Sequence, residues 1–213
     1  MIERISDPGL RRWLETVRES QYGKECMDLA ERIKNPAVLR EFICTSCDPA
    51  NEREMDSYLR SVRENINLLN QTAEKIGDEE ILDGFAYVAM SVALTGKLGD
   101  YLEVINGLEN ETVREEFLIK VEMVAWNRSK IVSYIDSVRE NLQYINEAAK
   151  KIDKMLLVDF SAGLMDAATV GKEEVRRYIG AVTDCEPAAR REFINGARKA
   201  YLKKEPAVYL PNP

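Results

Sequence analysis

One apolar ladder, met twice, does most to limit what this chain can fold into. Tyr58, Val62, Ile66, Leu69, Ala73 and Ile76 step by four or three residues, and Tyr134, Val138, Leu142, Ile145, Ala149 and Ile152 take the same steps in the same order. An α-helix turns once every ~3.6 residues, so each series lines one helical face, whereas a half-buried strand needs alternation with a period of two. No convincing alternating run occurs. The chain is therefore expected to be all-α with strand content near zero, each ladder forming one face of a single long helix.

The ladders open on a phrase that occurs three times, as Trp13-Leu14-Glu15-Thr16-Val17-Arg18-Glu19-Ser20, Tyr58-Leu59-Arg60-Ser61-Val62-Arg63-Glu64-Asn65 and Tyr134-Ile135-Asp136-Ser137-Val138-Arg139-Glu140-Asn141. A second phrase also recurs: Pro36 to Ile43, Glu111 to Leu118 and Pro187 to Ile194, each with a Glu-Phe pair near its end. The spacing from Tyr58 to Phe117 equals that from Tyr134 to Phe193, while Trp13 to Phe42 is about half of it, short by roughly a helical hairpin. The pattern predicts a diverged internal repeat whose first unit is truncated, as terminal units of arrays often are. About ten helices are expected, in a two, four, four arrangement, as a multi-helical bundle or short superhelix. The units would run approximately over 7–47, 48–126 and 127–203, making one domain over 1–203, with 204–213 as an extended, proline-containing tail. Phe42, Phe117 and Phe193 are expected to be equivalent buried positions, each against its own unit's long helix, near Trp13, Tyr58 and Tyr134 or their next apolar turn.

Helix starts are signalled by capping residues before proline, at Asp7-Pro8, Asn35-Pro36 and Asp48-Pro49, and by Asn110 and Asn127. Thr95-Gly96-Lys97 and Val170-Gly171-Lys172 read as helix-ending glycines. The Ser/Thr-Val-Arg-Glu spacing also has the form of a capping box, but it sits inside a periodicity that begins earlier.

Charge narrows the function classes. There are 30 Lys and Arg against 37 Asp and Glu, a net charge of −7, with the basic residues interleaved among acids. Nucleic-acid affinity rests on clustered Lys and Arg, so no nucleic-acid partner is expected. The longest uncharged stretch, Gly84 to Gly96, falls short of the ~20 apolar residues that cross a bilayer, and no membrane association is expected. The opening residues read as neither a secretory signal nor a transit peptide. Cys26, Cys44, Cys47 and Cys185 are then expected to be reduced thiols in the cytoplasm.

Candidate chemistry is sparse, because the chain contains no histidine. That removes the commonest general base, the Ser-His-Asp and Cys-His nucleophile systems, and the Glu-x-x-His pairs of di-iron bundles. Cys44-Thr45-Ser46-Cys47 lacks the further ligands a structural zinc site needs and the preceding strand a thioredoxin-like motif needs. The acid clusters, Asp78-Glu79-Glu80 with Asp83 and Glu109, Glu111, Glu115, Glu116, place carboxylates four apart on a helical face. Such pairs can hold Mg²⁺ through a phosphorylated substrate, but acids also crowd the first turn of helices for dipole reasons. No catalytic, cofactor or metal residue is assigned, and no cofactor is expected. The residues singled out as repeated surface contacts are Arg18, Glu19, Arg63, Glu64, Asn65, Arg139, Glu140 and Asn141, which otherwise serve as polar contacts between repeats or between residues four apart on one helix. The expected function is a non-enzymatic scaffold or adapter that binds another protein. Its alternatives are a Mg-dependent enzyme or ligand-binding bundle and a structural homo-oligomer.

Overall fold

A computed structural model describes residues 15 and 17–204, the last three by backbone alone. The Asp7-Pro8 start signal, Trp13, Thr16 and residues 205–213 of the expected tail lie outside the described residues. Those described form eleven α-helices and no strand: α1 (Gly23–Arg32), α2 (Pro36–Cys47), α3 (Met55–Lys75), α4 (Glu79–Ala93), α5 (Leu98–Gly107), α6 (Glu111–Val124), α7 (Arg128–Arg139), α8 (Leu142–Ala149), α9 (Lys154–Val170), α10 (Lys172–Asp184) and α11 (Arg190–Lys204), with a 3-10 turn over Pro49–Glu54. The all-α expectation is met.

The caps sit where the residue types place them. Asn35 Oδ1 accepts from the Ala37 and Val38 amides at the start of α2. Asp48 and Asp78 do the same for the 3-10 turn and for α4. Asn110 caps α6 and Asn127 caps α7. Each such oxygen satisfies backbone donors that the first helical turn leaves open, and each is worth about 1 kcal/mol. Gly96 and Gly171 carry positive φ, +73° and +145°, which lets the chain leave α4 and α9 in a conformation other residues resist. The Ser-Val-Arg-Glu phrase starts no helix: Ser61 lies inside α3, and Ser137 lies in the last turns of α7, its hydroxyl donating to Ser133 O.

The chain divides into two compact units, one of residues 1–106 and 121–132, the other of 107–120 and 133–213. In the first, α2 packs beside α4, α3 against α4, and α1 against both α2 and α3. In the second, α9 packs beside both α10 and α11, and α10 also touches α8 and α11.

Inside each unit the core is organised by stacked aromatic pairs. Phe42 stacks on Tyr58 with ring centroids 5.7 Å apart, Phe85 on Tyr101 at 5.9 Å, Phe117 on Tyr134 at 5.5 Å and Phe160 on Tyr178 at 5.7 Å. All eight rings are fully buried. Each hairpin of consecutive helices thus carries one Phe on its first helix and one Tyr on its second, a contact worth about 0.5–1.5 kcal/mol beyond the area it buries. The hydroxyls are used as well. Tyr58 donates to Phe42 O and Met90 Sδ, Tyr134 to Met165 Sδ, and Tyr178 to Phe160 O.

Phe42 and Phe117 are buried, and each stacks on the tyrosine that follows it, Tyr58 and Tyr134, because a hairpin brings together helices adjacent in sequence. Two expectations need correction. Phe193 is 37% exposed and so is not a third equivalent core position. The second ladder is not one long helix: α7 ends at Arg139 and α8 begins at Leu142, with Asn141 between them drawn into bonds to α10.

Candidate functional site

The repeated phrase ends on the polar side of α3 and at the end of α7. Arg63 and Glu64 are exposed and Asn65 is half-buried. Arg63 makes a charge-assisted hydrogen bond to Glu25 of α1, and Asn65 Nδ2 donates one turn back to Ser61 O at 2.8 Å. In the second unit Arg139 pairs with Asp136 of its own helix at 3.5 Å, and Glu140 pairs with Lys172 at 2.9 Å. Asn141 is fully buried. Its Nδ2 donates to Ser137 O at 2.8 Å and to Lys172 O at 3.1 Å, while its Oδ1 accepts from Arg176 Nε at 2.9 Å. Arg18 and Glu19 are exposed. Of the singled-out residues, Arg63, Glu140 and Asn141 tie one helix to another within their own unit.

Two further asparagines make the same tie, and the sequence reading passed over them. Asn70 Nδ2 donates to Arg32 O while its Oδ1 accepts from the Lys34 amide; Asn146 likewise donates to Gly107 O and accepts from the Glu109 amide. In both cases a side-chain amide satisfies one carbonyl and one N–H of the link ahead of a capped helix. The signal was available, since Asn70 and Asn146 hold the same place in the two ladders.

A cleft opens beside each copy of the phrase. In the first unit it lies between α1 and α3, has a volume of about 330 Å³, and is lined by Lys24, Glu25, Asp28, Arg32 and Arg63 among others. It mixes charges of both signs, Glu25 already engages Arg63, and no aromatic ring lines it.

The cleft in the second unit, of about 340 Å³, lies between α8 and α10 and is lined by Tyr144, Glu147, Lys151, Arg176, Gly180 and Thr183 among others. Tyr144 is 55% exposed. The Arg176 guanidinium carbon stands 5.8 Å from its ring centroid, within cation–π range. Buried Asn141 holds Arg176 Nε, so the guanidinium is anchored from behind while its side chain stays half exposed. Lys151 is exposed and forms no ion pair among the described residues, and Glu147 accepts from Gln143 at 3.0 Å. Tyr144 and Arg176 were not singled out from the sequence. Tyr144 could have been, as an aromatic off the apolar ladder, between Leu142 and Ile145.

The groups with chemical potential elsewhere are mostly engaged. Asp78 caps α4, Asp83 pairs with Arg40 at 2.9 Å, and Glu109 pairs with Lys150 at 2.8 Å. Lys120 and Asp166 form a buried ion pair at 2.8 Å, and Arg198 reaches Asp159 at 2.8 Å. Burial pushes the nearby Glu116 carboxyl above its ordinary range, and Arg198 pulls it part of the way back. Burial also pushes the Cys26 and Cys47 thiols up to about 11, which keeps both protonated, and so weak nucleophiles, near neutral pH. Among the described residues no group of three or more His, Cys, Asp or Glu side chains is placed to hold a metal ion, and no helix is long and apolar enough to cross a membrane. No protein-family model, curated protein or solved structure matches the chain.

Proposed function

We propose that this chain is a non-enzymatic scaffold that binds another protein, that it works in the cytoplasm, and that the cleft between α8 and α10 is where the partner is engaged. The observation that carries the reading is Tyr144, a large ring held in water at the mouth of a cleft beside an anchored arginine. Tyr and Arg are the side chains most enriched at the energetic centres of protein interfaces, because each buries a large area on association and keeps a polar handle. The engaged carboxylates and the lack of histidine weigh against the enzyme alternative. The cytoplasmic setting rests on four cysteines carried as thiols.

A photo-crosslinking amino acid placed at position 144, in living cells, tests this. A discrete adduct is expected on irradiation, absent when the same group stands at exposed Lys154. No adduct at position 144, or equal labelling at both positions, overturns the reading. An adduct of twice the chain mass makes the partner a second copy and replaces the scaffold with the homo-oligomer.

A further inference from the structure

Resting on that reading, we infer that the cleft between α8 and α10 takes an acidic peptide segment of the partner, with an oxyanion seated between Arg176 and Lys151 and the neighbouring residue packed on Tyr144. The chain as a whole is acidic, at −7. Within this cleft two cations face one carboxylate, and that carboxylate, on Glu147, already accepts from Gln143. The local charge is thus opposite in sign to that of the molecule, which steers an anionic segment to this spot.

The arginine is prepared for the task. Fixing a long side chain on binding costs entropy, and Arg176 is restrained in advance by buried Asn141 at Nε and by the ring of Tyr144. Asn141 is itself fixed by its bonds to Ser137 O and Lys172 O. With Nε committed, the terminal nitrogens remain to fork onto a carboxylate; their acidic neighbours are Glu173, at 4.0 Å on an exposed flank, and Glu140, which Lys172 already engages at 2.9 Å. Lys151 approaches from the turn after α8 as a second cation, with no ion pair among the described residues. A chain segment suits this place better than a small molecule. Pockets for small ligands bury most of the ligand's surface, whereas here the principal ring is more than half exposed. A Cβ at Gly180 would meet nothing within 4 Å, which leaves the α10 side open to a passing backbone.

The test is selection from a display library of random dodecamer peptides on the purified full chain, followed by fluorescence polarisation on the enriched sequences. Enrichment of Asp- and Glu-bearing peptides is expected. Their binding should weaken about tenfold or more with Arg176→Ala, and should weaken on adding salt. Lys151→Glu should weaken it comparably; that position is exposed, so the variant keeps the test decisive should Arg176→Ala disturb the fold. A synthetic peptide with phosphoserine in place of its central glutamate tells which oxyanion is preferred, and tighter binding of either form supports the inference. Enriched peptides without acidic residues that still depend on Tyr144 overturn the acidic-segment inference and leave the protein-binding reading standing. Peptides indifferent to Arg176, Lys151 and Tyr144 alike, or no enrichment at all, overturn both.

Discussion

The helix α3 and the pair α7 and α8 carry one phrase, Ser-Val-Arg-Glu-Asn, and continue from it differently. In α3 the helix runs unbroken for 21 residues through Asn65, whose amide bonds only one turn back to Ser61. In the other copy the helix stops at Arg139, and Asn141 turns its amide onto the Lys172 carbonyl and the Arg176 guanidinium. The helices opposite also differ at the matching place. Gly99 stands two residues before Tyr101 and lies against Asn65, offering no side chain, while Arg176 stands two residues before Tyr178 and offers a charged donor. The copy whose neighbour offers a charged donor is the one whose helix stops, and Arg176, the donor, lines the cleft between α8 and α10.

The largest expected effect tests what the two copies share. Phe42→Ala and Phe117→Ala should each cost about 3–5 kcal/mol in urea unfolding, since each removes a fully buried ring from its tyrosine. Phe193→Ala, at a partly exposed position, should cost less than about 1 kcal/mol. A cheap Phe117→Ala beside a costly Phe42→Ala would show that the two hairpins are not built alike.

The next effect addresses where they differ. Asn141→Ala strands the Lys172 carbonyl and unpins Arg176, and should cost about 2–3 kcal/mol. Asn65→Ala gives up one bond within its helix and gains helix propensity, so its cost should stay below about 1 kcal/mol. Equal losses in chemical denaturation would show that the bonds of Asn141 to α10 add no more than the single bond of Asn65.

The smallest effect is electrostatic and belongs to the second unit. Because burial raises the Glu116 pKa in the folded state, the folded chain holds that proton more tightly than the unfolded chain. Its contribution is favourable below the unfolded value of about 4.3 and is lost as pH rises through the folded value. Glu116→Gln should therefore raise the melting temperature slightly at pH 7 and not at pH 3.5. A lower melting temperature at pH 7 would show that the attraction to Arg198 outweighs burial.

Helix class and helix starts were legible because both are local properties. A ladder such as Tyr58 to Ile76 encodes its own face, and Asn35, Asp48 and Asn127 cap within three residues of themselves. Pairing between helices was legible only in part, since the phrases announce equivalent positions without saying which helix each faces. The stacking of Phe117 on Tyr134, the tyrosine that follows it, was not foreseen on that basis. The bond from Arg176 to Asn141 at the break was out of reach, as the two residues stand 35 apart in sequence. The candidate cleft was nearly invisible: Asn141 was singled out and Tyr144 stands out only as an aromatic off the apolar ladder, while Lys151 and Arg176 look like ordinary polar-face residues until α8 and α10 are side by side.

The stacked pairs carry a consequence for how the chain reaches its fold. Phe42 and Tyr58 are 16 residues apart, and Phe160 and Tyr178 are 18. Closing so short a loop costs little chain entropy, and contacts of low sequence separation go with rapid folding. Each hairpin can therefore seat its aromatic pair before its neighbours arrive, so that folding proceeds by accretion of hairpins. In native-state hydrogen exchange the amides flanking Phe117 and Tyr134 should then open together, as one cooperative unit.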